Sequence, residues 1–246
     1  MSADYIAGVL GVLRKIKATQ HLGPQHSTLT YLTEWSGATE PYVALAMAMA
    51  IQEQLRGAQS IIEASSLSDE AKSGLLVTIT GLTNAFSLAG LNGAQSQFLP
   101  SIDPAITNFA IIASVASKAD TDSLKDTLSD LTKEIDELAE RVKIAEIDPM
   151  LRETIVRHLF ILTAMLRNVE AVGIDAAVSA YFELLVRVRR AEKFSSEDSK
   201  KAMSGVWPKI NALGEKLGKI SGLLETGMKL VSYAEKLPGL LQHFQN

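Results

Sequence analysis

The chain has 246 residues, of which 47% are apolar and 21% charged, and it contains no cysteine. The apolar fraction excludes a disordered chain, and the missing cysteines exclude a disulfide framework, a thiolate zinc site and a cysteine nucleophile. A net charge of -4 gives no general attraction to nucleic acid, and we expect no nucleic-acid partner. The length suffices for one large domain or two small ones, with a core that must be mainly aliphatic.

The N-terminal segment has the pattern of an amphipathic helix that docks on the rest of the protein. Asp4 comes before the apolar residues and three bases follow them, which is the reverse of a secretory signal. We therefore expect a cytoplasmic protein, and the alternative is a basic helix end that touches an anionic membrane. The apolar face consists of Ile6, Val9, Leu10, Leu13 and Ile16.

Residues 74–116 are the most apolar part of the chain, and Asp103 is their only charged residue. Of their two apolar runs, residues 105–116 are too few to cross a bilayer, and residues 74–91 carry several polar side chains. We expect a buried helical hairpin; the alternative is a hairpin that leaves the core and inserts into a membrane. The candidate membrane residues are Leu75, Leu76, Val77, Ile79, Leu82, Phe86, Leu88, Phe109, Ile111 and Ile112.

Helix signals dominate the whole chain, and no apolar-polar alternation indicates a strand. Helix starts are indicated at Pro41, Ser68, Asp103-Pro104 and Asp148-Pro149, where a capping residue or proline stands before an apolar periodic run. Gly173 and Ser196 mark further breaks. The sequence thus predicts an all-α fold, one elongated multi-helix bundle of roughly seven to nine helices.

A heptad seam runs through residues 124–145, where apolar residues are spaced alternately by four and three. This pattern predicts long antiparallel helices inside one bundle, and pairing between chains is the alternative. The surrounding face is acidic, with eleven acids and six bases over residues 118–153. The seam residues are Leu124, Leu128, Leu131, Ile135, Leu138, Val142 and Ala145.

The C-terminal region is basic and carries glycines spaced by four. Over residues 201–246 there are six bases and three acids, which complement the acidic seam. Three glycines on one helix face suggest that another backbone approaches closely. The two helices either pack together, or the C-terminal helix binds a partner or a membrane surface. The residues that we predict to form a helix contact are Gly214, Gly218, Gly222, Leu213, Leu217 and Ile220.

The predicted domain organisation follows from a polar break near the C-terminal third. Residues 191–201 are polar and indicate a flexible joint. We expect a helical bundle over residues 1–190 and a basic amphipathic segment over residues 202–246, which packs on the bundle or moves independently.

No motif indicates catalysis, a metal site or a cofactor, and we expect none. His21 and His26 lie in a predicted loop without further ligands, and His158 lies inside a predicted helix. The segment from Gly214 to Lys219 lacks the spacing and the preceding strand of a phosphate loop. The basic cluster that contains Arg189 suits a helix C-terminus.

Residues 147–190 resemble a group of small helical bacterial proteins. The resemblance lies in the Ile147-Asp148-Pro149 start, the helix with His158 and Leu162, and the junction at Val172-Gly173-Ile174. The resemblance covers less than a fifth of the chain. The proteins that this part resembles are uncharacterised and come from prophage and phage-defence neighbourhoods. The resemblance implies a bacterial cytoplasmic protein that works with a partner, and it implies no catalytic residue.

Two functions follow as hypotheses. The first is a non-enzymatic helical interaction protein, a bacterial defence, immunity or regulatory component that acts by helix-mediated assembly with a protein partner or with itself. The second is a membrane-active, pore-forming-like protein that inserts the hairpin of residues 74–116. An enzyme with a site assembled from scattered polar residues is a third and weaker alternative.

Overall fold

The computed structural model describes residues 2–23, 25–37, 40–94, 102–116 and 122–220, and over these residues the fold is all-α. A single isolated pairing between Ser27 and Ala94 is the nearest approach to β-structure in this part of the chain. The eleven helices of the described residues are α1 (Ser2–Ala18), α2 (Thr28–Ser36), α3 (Pro41–Ala64), α4 (Asp69–Ala85), α5 (Ile102–Ala116), α6 (Asp122–Lys143), α7 (Pro149–Arg167), α8 (Val169–Val172), α9 (Ile174–Lys193), α10 (Glu197–Met203) and α11 (Trp207–Ile220).

Several helix starts lie where the capping residues predict them. The Ser68 hydroxyl accepts a hydrogen bond from the backbone N–H of Ala71, and Ser196 caps α10 in the same way. The Asp148 carboxylate accepts from the backbone N–H of Met150, and Pro149 opens α7. The helix count exceeds the predicted seven to nine, since α8 and α10 are only one to two turns long.

The described helices belong to two compact units, and the chain passes between the units more than once. Unit 1 comprises Met1–Ala119 with Asn168–Ala176, and unit 2 comprises Asp120–Arg167 with Ala177–Asn246. This division differs from the predicted one at residues 191–201. That segment lies within unit 2, includes most of α10 and buries Ser195 and Ser199. Its flexibility stays a prediction.

Unit 1 is built around α1, which contacts α3, α5 and α8. The predicted apolar face is buried, and Val12, which lies beside that face, is buried too. A Cβ atom at Gly11 would overlap the backbone of Glu170, so the missing side chain is what allows α8 to lie against α1. The N-terminal helix is thus a central element of its unit.

Two buried amides fasten residues 168–176 inside unit 1. Gln54 on α3 donates through its Nε2 to the carbonyl oxygen of Val172, at 2.8 Å. Asn168 donates through its Nδ2 to the carbonyl oxygen of Trp35, at 3.0 Å. Gly173, in a left-handed conformation with φ +77°, packs against the Gln54 amide and begins the turn into α9. The chain therefore enters unit 1 for nine residues and is bonded there at both ends of α8.

In unit 2, α6 and α7 form the predicted antiparallel pair. Asp136 of α6 meets Thr163 and Arg167 of α7, whereas Lys143, at the end of α6, lies over the ring of Phe160. The later residues of α6 thus face the earlier residues of α7, as antiparallel packing requires. The described side chains of the heptad seam from Leu128 to Val142 are buried.

Candidate functional site

The face of α11 that we predict to make a helix contact is buried inside unit 2. Leu213, Gly214, Leu217 and Gly218 are buried, and Ile220 is partly exposed. Gly222 lies outside the described residues. α11 contacts α6, so the basic and acidic helices pack together as one of the two predicted alternatives requires. We call the surface of unit 2 that α11 covers the α11 seat.

The glycine at position 214 meets a tyrosine side chain rather than another backbone. A Cβ atom at Gly214 would overlap the hydroxyl and ring of Tyr181 on α9. The sequence predicts the close approach of another backbone, and nothing local indicates Tyr181, which lies thirty-three positions earlier in the chain. The absence of a side chain at position 214 is what lets the helix lie on the ring.

The hydroxyl of Tyr181 is buried without a hydrogen-bond partner among the described residues, and only 1% of the residue is exposed. Burial, followed by the nearby Glu215 carboxylate, raises the pKa of Tyr181. The phenol therefore stays protonated. A buried hydroxyl without a partner reduces stability, because it has given up its bonds to water.

The charged contact between α11 and α6 is exposed. Lys216 pairs with Glu134, and each side chain is nearly half exposed. An exposed ion pair of this kind contributes little to stability. The pair thus agrees with the complementary charges of α11 and α6, but it adds little to the stability of their contact.

Open grooves flank the line along which α11 meets α6. A groove of about 570 Å³ lies between Asp126, Asp130 and Lys219. A second groove, of about 180 Å³, lies between Glu137, Arg141 and Lys209. Both grooves open to solvent, so they lie along the edge of the contact between α11 and α6 and leave its buried centre closed.

The first residue of α11 is fixed by a cluster on the last turn of α9. The guanidinium carbon of Arg189 lies 3.7 Å from the ring centroid of Trp207. Glu192 accepts from the indole Nε1 of Trp207 at 2.9 Å and pairs with Arg189 at 3.3 Å. A stacked cation that is also bonded to a carboxylate orients the indole firmly. The helix-dipole interpretation of Arg189 missed this role, although the spacing of three from Arg189 to Glu192 permits the ion pair.

The candidate membrane residues divide between the core and the surface of unit 1. Leu75, Ile79, Leu82, Phe86 and Phe109 are buried, while Leu76 and Ile112 are partly exposed. The exposed fractions of Val77, Leu88 and Ile111 are 69%, 79% and 60%. The only charged residue of this stretch, Asp103, pairs with Lys17 of α1 at 2.7 Å.

Two further observations concern membranes and metals. Among the described helices, none combines the length and the apolar character that crossing a membrane would require. In the same part of the chain, no three His, Asp or Glu side chains are grouped to hold a metal ion. His158 is half-buried on α7, and burial lowers its pKa.

Comparisons of the chain with protein-family models, with curated proteins and with solved structures found no match. The resemblance of residues 147–190 to proteins of phage-defence neighbourhoods therefore stays a prediction.

Proposed function

We propose that the chain is a non-enzymatic helical interaction protein that acts through helix-mediated assembly. The observation that carries this proposal is the α11 seat, where the basic helix α11 pairs with Glu134 of the acidic helix α6 and buries a glycine and two leucines within unit 2. A surface that recognises one amphipathic helix has the features used in helix-in-groove recognition between proteins. The resemblance of residues 147–190 supports a bacterial, cytoplasmic setting in defence, immunity or regulation.

Size-exclusion chromatography with light scattering over a range of protein concentrations tests assembly. We expect a mass above 26.5 kDa that rises with concentration, and a lower mass when Gly214→Leu disturbs the α11 seat. Gly74→Leu is the matched control, because a side chain at Gly74 would enter open space. A monomer at every concentration, with no partner in a pull-down and no effect of Gly214→Leu, would contradict the proposal.

A second candidate is a membrane-active protein, and the exposed apolar side chains of residues 74–116 favour it. Val77, Leu88 and Ile111 are all more than half exposed in a stretch whose one charge is already paired. Exposed apolar groups of this size favour binding to a membrane surface, because they are removed from water there. In this candidate the hairpin leaves the core of unit 1 after the ion pair between Lys17 and Asp103 opens.

Dye leakage from anionic liposomes tests the second candidate. We expect leakage that Val77→Lys and Ile111→Lys abolish and that Ile144→Lys leaves unchanged. Ile144 is the matched control because it is exposed to a similar degree but belongs to unit 2. No leakage at any protein concentration removes the candidate.

A further inference from the structure

Three features of α11 set the requirements that a helix must meet to occupy the α11 seat. Its first residue, Trp207, stacks on Arg189 and donates to Glu192. Its eighth residue, Gly214, leaves room for the Tyr181 hydroxyl. Its tenth residue, Lys216, pairs with Glu134. A helix with tryptophan, glycine and lysine at these spacings satisfies all three.

Grooves at the edge of the contact and a buried hydroxyl beneath it both weaken the hold of the seat on α11. Open grooves of about 570 and 180 Å³ run along the α6 side of α11. The Tyr181 hydroxyl lies beneath Gly214 without a partner in the described part of the chain. Both features lower the free energy needed to displace α11, because few contacts are lost along the grooves and the hydroxyl regains water.

The connection that precedes α11 is suited to a change of direction. The turn between α10 and α11 consists of residues 204–206, and its residues Ser204 and Gly205 are exposed. A Cβ at Gly205 would make only an ordinary contact, with the carbonyl oxygen of Ala202 at 3.7 Å. Val206 is partly buried, and local hydrogen bonds hold the turn, since the N–H groups of Gly205 and Val206 donate to the carbonyl oxygens of Ala202 and Met203. A continuous helix through residues 204–206 would replace these bonds with its own, so the turn can open without a lasting loss of hydrogen bonds.

We propose that α11 exchanges between two copies of the chain, so that the α11 seat of one copy binds α11 of the other. This inference rests on the proposed function and names its partner: a second copy of this chain. The three requirements favour α11 of a second copy over an unrelated amphipathic helix. The second copy has the same tryptophan, glycine and lysine at the same positions. Exchange of an identical element re-forms every contact at the seat, so it is a route to a dimer at low cost in free energy.

Cysteine crosslinking between mixed variants tests the exchange directly, because the natural chain contains no cysteine. One preparation carries Glu134→Cys and the other carries Lys216→Cys, the two positions of the ion pair at the seat. The two preparations are mixed at high concentration and treated with a short bismaleimide. We expect a crosslinked product of twice 26.5 kDa that contains one copy of each variant.

Two controls identify what the crosslink reports. Glu153→Cys, at an exposed position on α7, replaces Glu134→Cys to measure crosslinking by random collision. The double variant Glu134→Cys/Lys216→Cys, treated at low concentration, must crosslink within one chain, which shows that the substituted seat still forms. Adding Gly214→Leu to the Lys216→Cys chain is expected to abolish the mixed product.

The outcomes separate the exchange from the broader proposal of assembly. A mixed crosslink at least tenfold above the Glu153→Cys control supports the exchange. A dimeric mass by light scattering, with crosslinking only within single chains, overturns the exchange and leaves assembly through another surface. A monomeric mass with no mixed crosslink overturns both.

Discussion

Two helices pack along α6 in unit 2, and the two contacts differ in completeness. On one side, α7 contributes buried leucines, and Asp136 accepts hydrogen bonds from both Thr163 and Arg167. At the other contact, α11 buries Leu213 and Leu217, contributes one exposed ion pair and borders open grooves. Because of this difference we expect α11, rather than α7, to leave unit 2 when a contact is weakened.

The largest expected difference concerns the buried leucines of the two helices. Leu159→Ala on α7, at a position with no exposed surface, should lower the free energy of unfolding by about 2–5 kcal/mol. Leu213→Ala on α11 should cost less, because Leu213 borders a groove and the space left by its side chain can be filled by neighbouring side chains or water. Urea unfolding followed by circular dichroism measures both, and equal losses would remove the distinction between the two helices.

The next largest effect on stability is expected at Gly214, which packs against the ring of Tyr181. Gly214→Leu introduces a side chain where the Tyr181 ring stands, and overpacking of this kind costs about 1–3 kcal/mol. We expect α11 to leave its seat and trypsin to cleave faster after Lys209 and Lys216. In Gly74→Leu, whose new side chain meets open space, cleavage within α11 should keep its natural rate. Unchanged cleavage in Gly214→Leu would show that α11 has no close contact at this position.

Two tyrosines provide a pair of substitutions with opposite expected signs. Tyr181→Phe removes a buried hydroxyl that has no partner in the described chain, and we expect a gain of about 1 kcal/mol in stability. Tyr31→Phe removes a hydroxyl that donates to the carbonyl oxygen of Gly23 at 3.1 Å, and we expect a loss of about 1 kcal/mol. Hydrogen exchange in α11 should slow in Tyr181→Phe only. A loss of stability in Tyr181→Phe would mean that its hydroxyl has a partner.

A smaller difference is expected between two acids that are two positions apart on α6. Asp136→Ala removes the acceptor of both Thr163 and Arg167 and should cost about 1 kcal/mol. Glu134→Ala removes only an exposed ion pair and should cost about 0.5 kcal/mol or less. Thermal unfolding at low and high salt measures both, and the effect of Glu134→Ala should disappear at high salt.

The smallest expected effect is a pH dependence of the free energy of unfolding that arises from His158 on α7. Burial lowers the pKa of His158 below its usual value near 6.5, Glu183 opposes the shift, and Arg187 and Arg157 add to it. The unfolded chain therefore takes up this proton first, so stability is full above about pH 6.5 and declines as the pH falls below that value. His158→Gln should show a shallower decline in urea unfolding between about pH 6.5 and 5. An unchanged pH dependence in that variant would exclude this role of His158.

The sequence is sufficient to predict the elements of the fold whose causes are local. The helix starts at Pro41, Ser68 and Asp148 follow from capping and proline geometry, which involve only neighbouring residues. The seam of α6 follows from the heptad spacing, because one face of a helix must be buried against another element. These features could be predicted since the information for each lies within about one or two heptads.

Features that depend on distant residues could not be predicted. The break at Asn168 that separates α7 from α8 lies inside an apolar periodic run, and the Asn168 side chain there donates a hydrogen bond to Trp35, more than a hundred positions earlier. At Gly214 the sequence predicts the close approach of another backbone, and the group that lies there is the side chain of Tyr181. Periodicity shows which face of a helix is buried and leaves open which side chain lies opposite.

The passage of residues 168–176 through unit 1 has a consequence for the order in which the protein forms during synthesis. Gln54, on α3, cannot form its hydrogen bond until Val172 has been synthesised, and Gly11, on α1, cannot pack until the backbone of Glu170 is present. Domains that consist of one continuous segment can complete their cores as soon as they leave the ribosome. Unit 1 cannot, because α6 and α7 are translated before its last segment is. The first helix of the chain thus reaches its final surroundings only after more than two thirds of the protein has been made.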